Sequence, residues 1–96
     1  MHYVYILHYD FPNRPPLHYK GKTDDLIRRL AQHQKGEGSV TTHRYNKIGG
    51  QFTLARLYEF DSSKSQSKFE RYIKKIPSRE VCQICRARAA SKGREA

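Results

Sequence analysis

Residues 18–33 read H-Y-K-G-K-T-D-D-L-I-R-R-L-A-Q-H, a short extended segment followed by a glycine turn and a helix. Thr23 is suited to cap a helix over residues 24–34, because its hydroxyl can accept a backbone N–H and the aspartates after it favour the positive end of the helix dipole. Apolar side chains recur at helical spacing and define a buried stripe. Arg29 and His33 then lie one turn apart beside that stripe, where together they could contact an anion.

The residues before this stretch predict a β-hairpin. Residues 2–9 alternate β-branched and aromatic side chains, so that both faces carry bulky groups and both should be covered: Val4 and Ile6 on one face, and Tyr3, Tyr5 and Leu7 on the other. Residues 10–16 contain three prolines and therefore form a turn. Residues 17–20 return as the second strand, whose register is set by side-chain pairing more than by this long turn.

After the helix, residues 35–38 are glycine-rich and provide its C-cap, and residues 39–50 read as a long polar loop. Loops of this length often carry function. The loop mixes cations with a ring at His43, Arg44 and Lys47, a composition that suits contacts with phosphates and bases. The alternative is a solvated connector.

The last part of the chain predicts one strand and two helices. Residues 51–60 form the strand, with one face made by Phe52, Leu54, Arg56 and Tyr58 and with Leu57 on the other. Residues 61–63 cap the next helix, which Pro77 ends. Ser78 caps a final helix over residues 79–90.

The order of elements is therefore β-β-α-β-α-α, which predicts an α+β fold: a three-stranded antiparallel sheet flanked by three helices. A chain of 96 residues has room for one modest core. We expect residues 1–90 to form a single domain and residues 91–96 to form a flexible tail.

The composition points to a polyanionic partner. Nineteen basic and nine acidic residues give a formal net charge of +10. No basic amphipathic helix with a broad apolar face stands out, so nucleic acid is preferred over membrane; the alternative is a charge that serves solubility alone. The strand-like start of the chain predicts neither a signal peptide nor a transmembrane span.

The two cysteines, Cys82 and Cys85, are three positions apart. One C-x-x-C pair is half a zinc site at most, and the simpler interpretation is two packed thiols. So few cysteines suit a reducing compartment, and we expect a cytoplasmic protein.

Four short motifs in order resemble the GIY-YIG nuclease domain. Tyr3-Val4-Tyr5 stands where that family has its first motif, Tyr19-Lys20-Gly21 stands where it has its second, and Arg29 follows at the family's spacing. Residues 70–75 read E-R-Y-I-K-K and resemble the family's glutamate helix, E-x-x-I-K-K. The resemblance covers roughly residues 2–80 and implies an endonuclease that hydrolyses phosphodiester bonds in DNA with one divalent cation, Mg²⁺ or Mn²⁺.

The resemblance also implies roles for individual residues. Glu70 would hold the cation, and Arg29 would stabilise charge on the phosphate. Tyr5 would act as general base with Tyr19 beside it, and its pKa would then have to fall, helped by Lys22 and Arg29. His33 would shuttle a proton or orient a tyrosine.

Each of these residues also has a plain structural alternative. Glu70 could form an exposed i,i+4 pair with Lys74, and the two tyrosines could be packing rings on a sheet. His33 could be a half-buried histidine with a structural hydrogen bond. Arg29 could be a surface arginine of the helix, as Arg28 next to it is expected to be. Lys22 and Arg28 are assigned to nucleic-acid contact.

The chain departs from the family pattern at two motif positions. Tyr3 replaces the first glycine, and Lys20 replaces the usual Ile or Val of the second motif. Many members also place an asparagine late in the domain, whereas residues 77–96 offer only Gln83 as an amide. The alternative function is therefore a catalytically weak or inactive basic module that binds nucleic acid on the same fold.

The substrate and the pathway are not specified by these residues. The family acts in repair, restriction and mobile-element homing, usually with a second domain that provides specificity. This chain has no room for such a domain, so target choice would come from residues 35–50, from a protein partner or a second copy of the chain, or would be loose.

Overall fold

The computed structural model describes residues 1–95, with side chains described for residues 1–91. Its centre is a three-stranded antiparallel sheet with the strand order β2-β1-β3. The strands are β1 (His2–Asp10), β2 (Leu17–Thr23) and β3 (Gln51–Phe60). The first two form the predicted hairpin, and β3 pairs with the open side of β1.

Five helical segments flank this sheet within residues 1–95: α1 (Leu26–Gln34), α2 (Val40–Lys47), α3 (Ser63–Ile73), α4 (Ser78–Val81) and α5 (Gln83–Glu95). The α+β class and the antiparallel three-stranded sheet are thus confirmed, and the additional segments are α2 and the division of the last helix in two. None of the helices within residues 1–95 combines the length and the apolar character that crossing a membrane requires.

Strand β1 is the middle strand and is buried from Val4 to Tyr9, as its two bulky faces predict. One face, with Val4 and Ile6, packs against α3 and the C-terminal helices through Ile73 and Cys82. The other face is covered by α1 and α2. The apolar cluster there contains Tyr5, Leu7, Tyr9, Phe11, Tyr19, Leu26, Leu30, Tyr45, Phe52 and Leu54. The sheet therefore has a separate apolar core on each side.

Strand β3 does not keep the single face that the sequence predicts. Its register with β1 shifts between Ile6 and Leu7, so one residue of β3 is extra at that point. Phe52 and Leu54 consequently pack on the α1 side, whereas Tyr58 packs on the α3 side. The predicted common face for Phe52, Leu54, Arg56 and Tyr58 is wrong, because a bulge inverts the alternation of side chains.

The start of α1 and the segment after it also differ from the prediction. The N-cap is Asp25, whose carboxylate accepts the Arg28 backbone N–H. Thr23 is not the cap: its hydroxyl accepts the Asp25 backbone N–H and forms a turn just before the helix. The predicted loop over residues 39–50 is mostly helical, because the Ser39 hydroxyl accepts the Thr42 N–H and starts α2. A polar sequence with a good N-cap was misread as irregular.

In the C-terminal part, the helix that begins after Ser62 ends before Pro77, as predicted. Helix α3 begins after Ser62, as the cap cluster predicts, and ends at Ile73. Ser78 does not cap the next helix, since Pro77 occupies that position and makes no side-chain cap bond. Helix α5 continues to Glu95, past the predicted end at residue 90. Flexibility of residues 91–96 stays a prediction, and residue 96 lies outside the described residues.

Candidate active site

Tyr5 lies at the centre of the site, on the α1 side of the sheet. It is 1% exposed and sits opposite Gly21 of the neighbouring strand. A Cβ atom on Gly21 would lie 2.6 Å from the Tyr5 hydroxyl and 2.8 Å from the Tyr19 ring. The glycine of the second motif is therefore required sterically, because the Tyr5 hydroxyl occupies the space above it.

A chain of three buried polar groups extends from Tyr5. Its hydroxyl lies 2.7 Å from Nε2 of His33, and Nδ1 of His33 lies 3.0 Å from the Thr42 hydroxyl. His33 and Thr42 are both fully buried. Gly38 packs so closely on the imidazole that a Cβ there would overlap the ring. The His33 ring is thus held by Tyr5 and Thr42 at its two nitrogens and by Gly38 against its face.

The protonation states of these three hydrogen-bonded groups follow from burial. Burial, and then the Arg29 charge, lower the pKa of His33 to about 4, so the imidazole is neutral near pH 7. The Thr42 hydroxyl has Ser39 acceptors of its own. The consistent arrangement is that His33 Nδ1–H donates to Thr42 and that Nε2 accepts the Tyr5 O–H.

The expected lowering of the Tyr5 pKa is not observed. Burial raises the pKa of Tyr5 well above its usual range, and the neighbouring Tyr19 raises it further. Arg29 does lower it, as predicted, but by less than burial raises it. In the protein alone Tyr5 is therefore a protonated phenol, and its pKa does not fall as the role of general base would require.

Tyr19 packs against the Tyr5–His33 pair, and Arg29 acts on that pair through its charge. The Tyr19 ring centroid lies 5.0 Å from that of His33 and 6.3 Å from that of Tyr5. Arg29 is half-buried and its Nη1 donates to the Gly38 carbonyl at 3.1 Å. Its charge lowers the pKa of both Tyr5 and His33, and the Gly38 that it contacts packs on the His33 ring.

Arg28 differs from its neighbour, since it is exposed as the sequence predicts. It nevertheless lines a cleft of about 350 Å³ together with Arg29, Asp25 and Glu37. The two arginines therefore line the same concave surface. An anion entering it would meet both guanidinium groups, with two carboxylates at the rim.

Glu70 comes from α3, on the other side of edge strand β2. Its side chain is 13% exposed and its carboxylate pairs with Lys74 at 3.5 Å and with Lys22 at 4.0 Å. The i,i+4 pair offered as the plain alternative is therefore present, but the carboxylate is not on the open surface. Its charge also raises the pKa of Tyr5, as the smallest of the causes, so the carboxylate lies within electrostatic reach of that hydroxyl.

The surroundings of Glu70 fit one hard divalent cation. Mg²⁺ commonly takes one or two protein carboxylates and fills its other positions with water and substrate phosphate. A single partly exposed carboxylate meets that requirement. The Lys22 and Lys74 ammonium groups neutralise Glu70 in the protein alone, and a phosphate would give them a second anion to contact.

The departures from the family pattern have structural explanations. Lys20 donates to the Ile73 carbonyl at 3.0 Å and to the Ile76 carbonyl, so its ammonium caps the end of α3. Tyr3 is half-buried, and its carbonyl accepts the amide of Gln66 at 2.8 Å. Neither residue contacts the Tyr5–His33 pair in the part of the chain that is described.

The basic residues of the segment predicted as a loop, residues 39–50, lie on the outer side of α2. His43, Arg44 and Lys47 are exposed, and His43 Nδ1 lies 3.1 Å from the Gly36 carbonyl. Their assignment to nucleic-acid contact stays a prediction. Thr42, on the inner side of the same helix, was missed by the sequence interpretation. The signal was the S-x-x-T spacing of residues 39–42, which starts a helix and turns its hydroxyl inward.

Comparison with known proteins agrees with this geometry. The family model described as the GIY-YIG catalytic domain matches residues 1–79. A UPF0213 protein of Halalkalibacterium halodurans is 30% identical over 83 residues, which cover 86% of this chain and 80% of that protein. No solved structure matches the chain. With the two tyrosines, the helix arginine and the glutamate helix in place, the chain belongs to the GIY-YIG catalytic domain family.

Proposed function

We propose that this protein is a metal-dependent endonuclease that hydrolyses phosphodiester bonds in DNA. The observation that carries the proposal is the Tyr5–His33–Thr42 chain, a buried series of hydrogen bonds through which a proton could leave the Tyr5 phenol. The family is one of endonucleases in general, and the basic surface is suited to a nucleic-acid substrate.

The first chemical requirement is a base for the attacking water. The Tyr5 oxygen accepts the water proton while its own proton moves to Nε2 of His33, which is neutral and already accepts that hydrogen bond. Thr42 holds the opposite nitrogen and so keeps Nε2 free of a proton beforehand. Since the pKa of Tyr5 is raised, the transfer has to accompany the attack and does not precede it.

The second requirement is stabilisation of charge on the phosphate. Arg29 provides fixed donors beside the Tyr5–His33 pair, anchored through Gly38. Lys22, on the edge strand next to Gly21, adds a positive charge near Glu70. A divalent cation, when bound by Glu70, supplies further neutralisation of the phosphate and supports the leaving oxygen.

A plasmid-nicking assay in Mg²⁺ or Mn²⁺ tests the proposal. Tyr5→Phe should reduce the cleavage rate by about a hundredfold or more, the usual contribution of a general base. Glu70→Ala should reduce it by a similar factor, because it removes the carboxylate proposed to hold the cation. Tyr72→Phe is the matched control, because Tyr72 is an exposed tyrosine on α3. Cleavage at the wild-type rate in both site variants would refute the proposed chemistry.

The second candidate is a DNA-binding module without turnover. It is favoured by the two lysines that neutralise Glu70 and by the raised pKa of Tyr5. This candidate predicts binding that weakens steeply with salt, and no cleavage with any divalent cation. Detection of cation-dependent cleavage that Tyr5→Phe abolishes would exclude it.

A further inference from the structure

Two histidines and two cysteines meet on the α3 side of the sheet, on the face opposite Tyr5. His8 and His18 are directly paired across β1 and β2, and Cys82 and Cys85 lie at the junction of α4 and α5. One donor atom from each residue lies within 4.8 Å of all the others. The sequence interpretation had treated the cysteines as half a site at most and did not consider the histidines.

We propose that His8, His18, Cys82 and Cys85 bind one Zn²⁺ ion in a tetrahedral Cys₂His₂ site. Zinc binds cysteine sulfur at about 2.3 Å and histidine nitrogen at about 2.0–2.1 Å, so its donor atoms should be about 3.3–3.8 Å apart.

Three of the six donor-atom separations fall within this range, and all six are within 4.8 Å. His8 Nδ1 lies 3.3 Å from Cys82 Sγ and 3.5 Å from Cys85 Sγ, and His18 Nε2 lies 3.3 Å from Cys85 Sγ. Two sulfurs and two imidazole nitrogens in this geometry are the ligand set that zinc prefers.

The groups around His8 also suit a metal ligand. Its other nitrogen, Nε2, lies 3.0 Å from Oδ1 of Asp10, the arrangement in which a carboxylate orients a metal-binding imidazole. Arg88 in turn donates to both Asp10 oxygens, at 2.9 and 3.0 Å, and so fixes the carboxylate that orients the imidazole. His8 is fully buried, so Nδ1 is presented to the sulfurs in a fixed direction.

The competing explanation is a pair of packed thiols that hydrogen-bond to histidine. Cys82 is fully buried among Val4, Ile6 and Ile73, as a packed cysteine would be. Packing does not explain why two imidazole nitrogens from adjacent strands are directed at the two sulfurs. Half-buried His18 and Cys85 also line a cleft of about 670 Å³, through which an ion could enter.

A zinc ion here would attach the C-terminal segment to the hairpin. The match to the GIY-YIG family ends at residue 79, and both cysteines lie beyond it. The ion would join positions 74 residues apart at His8 and Cys82, so it would stabilise the folded state without contacting substrate. This inference does not depend on the proposed nuclease activity.

Metal analysis of the full chain tests the site. The protein is purified in reductant, stripped of metal, and titrated with Zn²⁺ and with Co²⁺ as a spectroscopic probe. We expect one ion per chain, the absorption bands of tetrahedral cobalt with a sulfur-to-cobalt charge-transfer band, and protection of both thiols from alkylation. At about a hundredfold excess of zinc over Kd, the melting temperature should rise by roughly 10–20 °C.

Variants assign the ligands. Cys85→Ser and His18→Gln change half-buried residues and should remove or alter the cobalt spectrum, whereas His2→Gln, at the other end of β1, should not. Absence of stoichiometric binding by the reduced wild-type chain would overturn the proposal, whether or not the variants fold. Binding with thiols that remain open to alkylation, or with a spectrum unchanged in both ligand variants, would also overturn it.

Discussion

Replacement of Thr42 by valine tests the buried proton path behind Tyr5. The two side chains have nearly the same shape, but valine removes the hydroxyl that lies 3.0 Å from His33 Nδ1. The Nδ1–H group would then be buried without a partner, since Thr42 and His33 are fully buried. Leaving such a group unpaired costs about 1–3 kcal/mol.

The same change should affect catalysis through the tautomer of His33. Without the Thr42 acceptor, the imidazole can place its proton on Nε2, where it would donate to Tyr5 and could no longer accept from it. If the wrong tautomer becomes more stable than the active one by about 1.4 kcal/mol, the active fraction falls to about a tenth. We therefore expect at least a tenfold lower cleavage rate with little change in DNA affinity.

The assay is single-turnover cleavage at saturating protein, together with thermal unfolding. A loss of 1–3 kcal/mol should lower the melting temperature by roughly 5–20 °C in a domain of this size, so cleavage is measured well below the new midpoint. Thr41→Val is the control, because Thr41 is the preceding residue of α2 and is exposed. Equal cleavage by the two variants would refute the proton path.

Three further predictions concern stability. Gly21→Ala should destabilise the fold by about 1–3 kcal/mol in chemical unfolding, because its Cβ would lie 2.6 Å from the Tyr5 ring; an unchanged midpoint would contradict the packing described. Lys20→Met should cost about 1 kcal/mol by removing the cap of α3, and wild-type stability would contradict that role. The pKa of His33 is lowered to about 4, so between about pH 4 and 6.5 the folded state binds fewer protons than the unfolded state. The free energy of unfolding should therefore decrease by about 3 kcal/mol as the pH falls through that range. A His33→Gln variant that kept the full pH dependence would contradict this.

The sequence predicted the sheet well because its signals are local and strong. Alternating bulky residues in β1 and the proline turn determine the hairpin, and both faces of β1 are indeed covered. The bulge in β3 was not predictable in the same way, since an extra residue depends on how the strand pairs with β1. Helix α2 was missed because its sequence is polar, and its stability comes from the Ser39 cap and from packing of Thr42 and Tyr45.

The candidate site was predictable only in part. The five residues proposed for catalysis were identified by family spacing, and the measured contacts join Tyr5, Tyr19 and His33 directly. The sign of the Tyr5 pKa shift was wrong, because burial outweighs the Arg29 charge and no single sequence reveals burial of a hydroxyl.

The histidine–cysteine cluster was missed for a different reason. His8 and Cys82 are 74 positions apart. Strand pairing brings the two histidines together, and only packing of the C-terminal segment against the sheet brings the cysteines to them.

The most direct test of the account is a comparison of matched variants in cation-dependent cleavage. Arg29→Gln and Glu70→Gln remove groups proposed to act at the phosphate, whereas Arg71→Gln and Glu59→Gln remove exposed charges of the same kind outside the site. The account predicts that single-turnover cleavage falls about a hundredfold or more in the first pair and stays within about twofold of wild type in the second. Equal rates in all four variants, or a wild-type chain that binds DNA and never cleaves it in Mg²⁺ or Mn²⁺, would contradict the central claim.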